Sequence, residues 1–187
     1  LKLPAMSSFQ IYLASTSPRR RELLDQLGIR YRALQVEVDE MLCASELPGA
    51  YVMRLARAKA WAGWRHVRVP QLTCPALGAD TSVVLEGEVL GKPRDRTHGL
   101  EMLERLSGRS HQVLTAITLV DGAREAMRLS VSTVTFRETT AEERDAYWNT
   151  GEPLGKAGGY AIQGRAAVFI AHLEGSFSGV MGLPLYE

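Results

Sequence analysis

The sequence predicts an α/β fold of the mixed α+β kind, in a single domain. Short apolar runs of strand length alternate with stretches of helical period in the order βαβαββαββαβ. Turn signals at Glu86-Gly87 and Asp121-Gly122 mark antiparallel hairpins, so the sheet is not a simple doubly wound parallel one. The 187 residues are 45% hydrophobic and 23% charged, enough to bury one core in a domain at most two-lobed, and they exclude a disordered or fibrous chain.

Ile11-Tyr12-Leu13-Ala14 reads as a short buried strand. It runs into Ser15-Thr16-Ser17-Pro18, which predicts a helix with Ser17 as N-cap, Pro18 at its first position and Leu23, Leu24 and Leu27 as its buried stripe. Gly28 stands where a glycine would end that helix. Tyr31–Val38 alternates loosely as a second strand. Tyr51, Val52, Leu55, Ala58 and Ala62 recur at helical spacing, so Lys59 projects from a long helix over 51–64. Ala76–Leu85 and Val89–Leu90 flank the first hairpin tip, and Thr97–Leu106 is a helix closed by Gly108. Val113–Val120 and Leu129–Phe136 form the second, longer hairpin. Thr140-Ala141-Glu142-Glu143 is a capping box opening a helix through Trp148. After it, glycine turns alternate with short apolar runs, notably Val168–Ile170.

With 22 basic and 21 acidic residues the chain carries a net charge of +1, which argues against a general polyanion binder. Cys43 and Cys74 lie far apart, outside any CxxC spacing, and the four histidines (His66, His98, His111, His172) form no ligand pair; a disulfide framework and a structural zinc site are therefore not expected. The longest apolar run, Val113–Val120, is too short to span a bilayer. Leu1–Ser8 has no apolar core and reads as a flexible or expression-derived start rather than a signal peptide. Reduced thiols and no export signal point to the cytoplasm. The tryptophans Trp61, Trp64 and Trp148 are read as core or interface anchors rather than base-stacking platforms.

Five segments could carry chemistry. Arg19 and Arg20 stand in the first turn of a helix, where cations are unfavourable unless an anion binds. Together with the helix N–H groups they suit phosphate oxygens, although a solvated basic turn looks the same in sequence. Asp80 in Gly78-Ala79-Asp80-Thr81 could bind a divalent cation or activate water, or merely start a turn. Lys92 in Gly91-Lys92-Pro93 follows a strand and could face a ligand. Glu37, Asp39 and Glu40 are clustered carboxylates that alternation would divide between two faces, most simply a solvated edge. The glycine-dense run 156–164 lets backbone approach a ligand, with Gln163 able to donate and accept toward a base edge, or is simply a tight loop.

Taken in order, Ser-Thr-Ser-Pro-Arg-Arg (15–20), Val-Asp-Glu (38–40), Leu-Ala-Arg-Ala-Lys-Ala (55–60), Gly-Ala-Asp-Thr (78–81), Gly-Lys-Pro-Arg (91–94), Leu-Ser-Gly-Arg-Ser-His (106–111), Lys-Ala-Gly-Gly-Tyr-Ala-Ile-Gln-Gly (156–164) and Gly-Leu-Pro (182–184) resemble the Maf family of nucleotide pyrophosphatases. The resemblance implies one elongated, two-lobed domain around a mixed sheet with a central cleft, akin to the inosine triphosphatase fold. It also implies hydrolysis of a nucleoside triphosphate to the monophosphate and pyrophosphate with a divalent cation (Mg²⁺, Mn²⁺ or Co²⁺). By the same resemblance Asp80 is the proton acceptor, Glu40 and Asp80 hold metal, Lys59 and Lys92 act in catalysis, and Ser15, Arg19, Arg20, Thr81 and Gln163 bind substrate. Arg19, Thr81 and Gln163 match the subtype acting on dTTP and UTP; the 7-methyl-GTP subtype carries Trp, Gln and Glu there. Further expectations from the resemblance are a homodimer, no membrane or stable nucleic-acid partner, and a link to cell-division arrest. Alternatives kept open are a pyrophosphatase for modified nucleotides and a non-enzymatic nucleic-acid or division-partner module. Family chains usually continue past Leu-Pro-Leu-Tyr-Glu with a terminal helix, whereas this sequence ends at Glu187.

Overall fold

The computed structural model describes residues 9–66 and 74–187; the segment 1–8 assigned above to the start of the chain lies outside them. The elements are β1 (Ile11–Leu13), α1 (Pro18–Gln26), β2 (Tyr31–Ala33), α2 (Pro48–His66), β3 (Ala76–Leu85), β4 (Glu88–Leu90), α3 (Arg96–Leu106), β5 (Ser110–Val120), β6 (Glu125–Phe136), α4 (Ala141–Trp148), β7 (Ile170–Glu174) and α5 (Phe177–Met181). Seven strands form one mixed sheet in the order β2-β1-β3-β5-β6-β7, with β4 beside β3. β1 runs parallel to β2 and β3, and the remaining pairs are antiparallel.

The strand β3 organises the molecule. Along one edge it pairs with β5 through Ala76 to Val84. Its other edge is shared: β1 takes Ala76 and Leu77, and β4 takes Val83 to Leu85. Residues 78–82 between them have no strand partner on that edge among the described residues. The chain leaves β1 and β4 at the two sides of this gap, so whatever follows each strand is delivered to it. A break between neighbouring strands of this kind is where open sheets place ligands.

Helix α2 covers one face of the sheet, with Val52 and Ala56 packed on Val84, Leu114 and Ala116. On the other side Leu23 and Leu24 of α1 pack with Leu13, Leu77, Ala79 and Leu183. Each fully buried leucine contributes about 1.5–3 kcal/mol. A further cluster joins β3, β4 and β6 to α3 and α4 through Val83, Leu90, Leu103, Leu106, Phe136 and Tyr147. The capping box forms as the sequence predicts: Thr140 accepts from the Glu143 N–H while the Glu143 carboxylate accepts from the Thr140 N–H. No helix among the described residues is long and apolar enough to cross a membrane.

Three expectations are corrected and one element is added. The strand placed at Tyr31–Val38 ends at Ala33, because only Ile11 to Leu13 of β1 are there to pair with it. Leu27 is the C-cap of α1, not part of its stripe, and is 51% exposed. Val168 lies exposed in a 3₁₀ turn over Arg165–Phe169, so β7 begins only at Ile170. α5 was not anticipated, its five residues being too few to show a period. The tryptophans are structural: Trp61 donates to Glu125, Trp148 lies against Gly99 and Trp64 against Gly122. Cys43 is exposed, Cys74 is buried, and no disulfide joins them.

His111 sits in the core edge-on to Phe136 and Tyr160, with Nε2 at 2.7 Å from the Tyr160 hydroxyl and Nδ1 buried without a partner. Burial pushes its pKa down to about 4. An unfolded imidazole takes up its proton near pH 6.5, the native one only near 4, so the unfolded state binds more protons between these values. Stability is therefore complete above about pH 6.5 and falls as the pH drops toward 4, by about 2 kcal/mol at pH 5 from this group. Urea midpoints at pH 7.5 and pH 5 test this, and the difference shrinks in His111→Gln. An equal difference in that variant would remove His111 as the cause.

Candidate active site

The gap on β3 opens into a cavity of about 680 Å³. Ser15, Arg19 and Arg20 reach it from the chain leaving β1, Lys92 from the chain leaving β4, and Asp80 and Thr81 from the unpaired stretch of β3 itself. Lys59 arrives from α2, Glu40 from the loop before it, and Gln163 from the turn before β7. The nine residues to which the resemblance gives site roles thus line one hollow, whereas Glu37 and Asp39 of the acidic cluster are not part of its wall. The cavity wall carries five cationic side chains, with Lys156 added to the four expected, against the carboxylates of Glu22, Glu40 and Asp80. This local excess of positive charge is hidden in the near-neutral total.

Lys59 is the centre of the acidic side. Its Nζ donates to Asp80 Oδ1 at 2.7 Å and lies 2.6 Å from Glu40 Oε1, while Lys92 Nζ stands 4.0 Å from the other oxygen of Glu40. Glycine at 78 brings this about. It faces α2 two residues before Asp80 on the same face of β3, and a Cβ there would lie 2.3 Å from Ala56 O and Ala60 N. Helix and strand meet backbone to backbone at that point, which lets Lys59 reach Asp80.

The two acids respond oppositely to their surroundings. Burial dominates at Asp80 and pushes its carboxyl up, against the charge and hydrogen bond of Lys59 and the charge of Arg20. At Glu40 burial also raises the carboxyl, but the hydrogen bond and charge of Lys59, with Lys92 and Arg20, outweigh it and hold the group below the usual range. Glu40 escapes the alternation expected of it because β2 ends at Ala33 and residues 34–40 are not strand. It is held by backbone instead: Tyr51 donates its hydroxyl to Glu40 O, and Arg54 donates to Met41 O and pairs with Glu46.

The arginine run is divided in its roles. Arg19 lines the cavity and pairs with Glu22. Arg20 turns inward, 9% exposed, and donates from Nε to Gly182 O, from Nη1 to Ser15 Oγ and from Nη2 to Thr81 Oγ1. Three of its five N–H groups are thereby committed to the protein, leaving two for a ligand. It joins the middle of β3 to the chain just past β1 and α5, a structural task that residue type alone does not show. Ser17 caps α1 by position, but its side chain makes no capping bond, and the first intrahelical bond is Arg21 N–H to Ser17 O. The N–H groups of Arg19 and Arg20 precede that bond, as an anion site requires.

Thr81 accepts from Arg20 and lies 2.9 Å from Thr115 Oγ1. Thr115 donates its one proton to Gly179 O, so the Thr81 proton points at Thr115 and the hydroxyl can offer a ligand only its free lone pair. Lys156, Tyr51 and Glu22 are among the lining residues that sequence reasoning passed over; Lys156 stood in the glycine-dense run and its charge was the available signal.

The donor set for a metal is two carboxylates converging on one positive centre. Hard oxygen ligands, few in number, match the way Mg²⁺ and related ions bind through one or two carboxylates with substrate phosphates and water completing the shell. No cluster of three or more His, Cys, Asp or Glu side chains is placed to hold an ion among the described residues. Glu40 and Asp80 are the residues that could hold such an ion together with a ligand's oxygens.

Residues 10–187 match the model of a family described as Maf-like protein. Among curated proteins the chain is similar to the dTTP/UTP pyrophosphatase of Alkalilimnicola ehrlichii, with 61% identity over 95% of this chain and 88% of the relative. It is similar also to proteins of that name from Saccharophagus degradans, 51% identical over 97% and 86%, and Methylococcus capsulatus, 52% identical over 95% and 87%.

Proposed function

The chain belongs to the Maf-like protein family, and from that premise we propose that it hydrolyses dTTP and UTP to the nucleoside monophosphate and pyrophosphate. The observation that carries the proposal is Lys59 bridging Asp80 and Glu40 at the wall of a cavity with surplus cations. A triphosphate brings about four negative charges, and a site must screen them before a nucleophile can approach.

In the free protein Lys59 pairs with both acids. An arriving triphosphate competes for its ammonium, and Arg19, Lys92 and the first N–H groups of α1 offer the remaining positive charge along the phosphates. Glu40 and Asp80 would hold Mg²⁺, Mn²⁺ or Co²⁺ together with phosphate oxygens, which supplies charge neutralisation at the anhydride. Asp80, released from Lys59 and with its basicity raised by burial, takes the proton of the water that attacks the α-phosphorus. The bond to the β-phosphate breaks, and pyrophosphate leaves with its charge spread over the cationic wall. Gln163 meets the base. A uracil or thymine edge presents acceptor, donor and acceptor in sequence, and one side-chain amide satisfies two of them. The substrates being soluble nucleotides, the cytoplasm is the proposed location.

Pyrophosphate release from dTTP, UTP, CTP, GTP and 7-methyl-GTP, with and without each cation, tests this reading. Release is expected to be fastest with dTTP and UTP and to require added cation, and Gln163→Glu lowers UTP turnover relative to the purine triphosphates. Fast cation-independent release, or 7-methyl-GTP as the best substrate, contradicts it.

A further inference from the structure

The turn that carries Gln163 is gripped from outside the cavity. Ala161 O accepts from Gly164 N–H at 3.0 Å, closing a turn with Ile162 and Gln163 at its centre. Ile162 is buried in the core, so of the two central side chains only Gln163 lines the cavity without that anchorage. After this turn the backbone is bonded directly to the Glu152 carboxylate, and before it the backbone is tied to the same carboxylate through the Tyr147 hydroxyl. Its Oε2 accepts from Arg165 N–H at 3.0 Å, and its Oε1 accepts from Ala166 N–H at 3.3 Å and from the Tyr147 hydroxyl at 2.8 Å. The Tyr147 oxygen in turn accepts from Ala161 N–H at 3.2 Å. Glu152 itself is not part of the cavity wall, so nothing in its position calls for contact with a nucleotide.

The closeness of the packing shows at Gly164. A Cβ there would lie 2.3–2.4 Å from all three atoms of the Glu152 carboxylate, so the acid is pressed against the turn itself. The direction of every bond is settled. A carboxylate has only lone pairs, Ala161, Arg165 and Ala166 supply only N–H groups, and Tyr147 passes its proton toward the acid. Charge-assisted bonds of this kind are short and geometrically strict. A side chain that reads a base gains selectivity when its backbone is fixed beforehand, because less ordering remains to be done on binding.

We propose that Glu152 is a specificity-determining positioning residue, which through Tyr147 and the N–H groups of Arg165 and Ala166 holds the 161–164 turn so that Gln163 meets the pyrimidine edge. The inference rests on the assignment of Gln163 as the base-reading residue.

The test compares kcat/KM for UTP with that for GTP in the wild type, Glu152→Gln, Tyr147→Phe, Gln163→Ala and the Glu152→Gln/Gln163→Ala double variant. Glu152→Gln keeps size but, whichever way the amide is turned, sets its NH₂ against a backbone N–H, that of Arg165 or of Ala166. It lowers the UTP/GTP ratio by about tenfold, mostly through the KM for UTP, with kcat for GTP nearly unchanged because Asp80 and Lys59 stand on other elements. Tyr147→Phe removes one link and lowers the ratio by about threefold. In the Gln163→Ala background the Glu152 change has no further effect on the ratio, as two residues acting through one contact require. If Glu152→Gln fails to fold, Tyr147→Phe decides. A ratio lost in Gln163→Ala but kept in folded Glu152→Gln and Tyr147→Phe overturns the positioning role alone. An unchanged ratio in Gln163→Ala overturns the base-reading assignment and this inference with it.

Discussion

Asp80→Asn is expected to lower kcat for dTTP and UTP by at least about 10²-fold, the low end for loss of a general base. The change is nearly isosteric, and the amide oxygen can still accept from Lys59 Nζ, which now lies 2.7 Å from Asp80 Oδ1. Lys59 also keeps Glu40 at 2.6 Å, so no buried charge is orphaned and the fold survives. What disappears is a basic oxygen at a point where burial makes the carboxylate a stronger base than usual. At saturating cation kcat and kcat/KM fall together, and because Asp80 would also hold the cation, the variant needs more added cation to reach its maximal rate. Steady-state pyrophosphate release with thermal unfolding as a folding control measures this. Near-wild-type turnover in a folded Asp80→Asn protein would falsify the role.

The legible part of the molecule is the part governed by local rules. Ser15 to Pro18 announces a strand feeding a helix, Thr140 to Glu143 a capping box, and Glu86-Gly87 a tight turn, where both residues indeed take positive φ of 52° and 84°. The site residues could be named because they differ in type from their neighbours. Their convergence could not be read from pattern, since it depends on β1 and β4 sharing one edge of β3 and leaving residues 78–82 between them. The inward turn of Arg20 belongs to the same class. Three positive residues in succession look alike in sequence, and only the long-range partner Gly182, 162 residues away, separates Arg20 from Arg19. Glu152 shows the opposite limit. A lone acid in a loop reads as solvated, and the N–H groups that claim it belong to a turn a dozen residues later.

The same long-range logic makes Gly78 the most sensitive structural position near the site. In Gly78→Ala the new methyl would stand 2.3 Å from Ala56 O and Ala60 N and 2.9 Å from Ala60 Cα. All three are backbone atoms of α2, so no side chain can rotate away, and the helix must retreat by about 1 Å to restore ordinary contact. Val52, Ala56 and Ala60, fully buried on that face, lose packing together. The cost is about 3 kcal/mol, the upper end for overpacking, which lowers the melting midpoint by roughly 6–12 °C in a chain of this size. The catalytic effect is separate. Lys59 rides on α2 and Asp80 on β3, so the retreat opens the 2.7 Å contact on which the site is built, and displacements near 1 Å can cost about 10²-fold in rate. Activity well below the new midpoint should therefore fall at least about tenfold. Gly49→Ala is the control at the start of the same helix, where a Cβ meets only side-chain methyls at 3.8 and 3.9 Å. It leaves activity intact and is neutral or mildly stabilising through the better helix propensity of alanine. Wild-type melting and turnover in Gly78→Ala would mean that α2 and β3 do not need this contact to assemble the site.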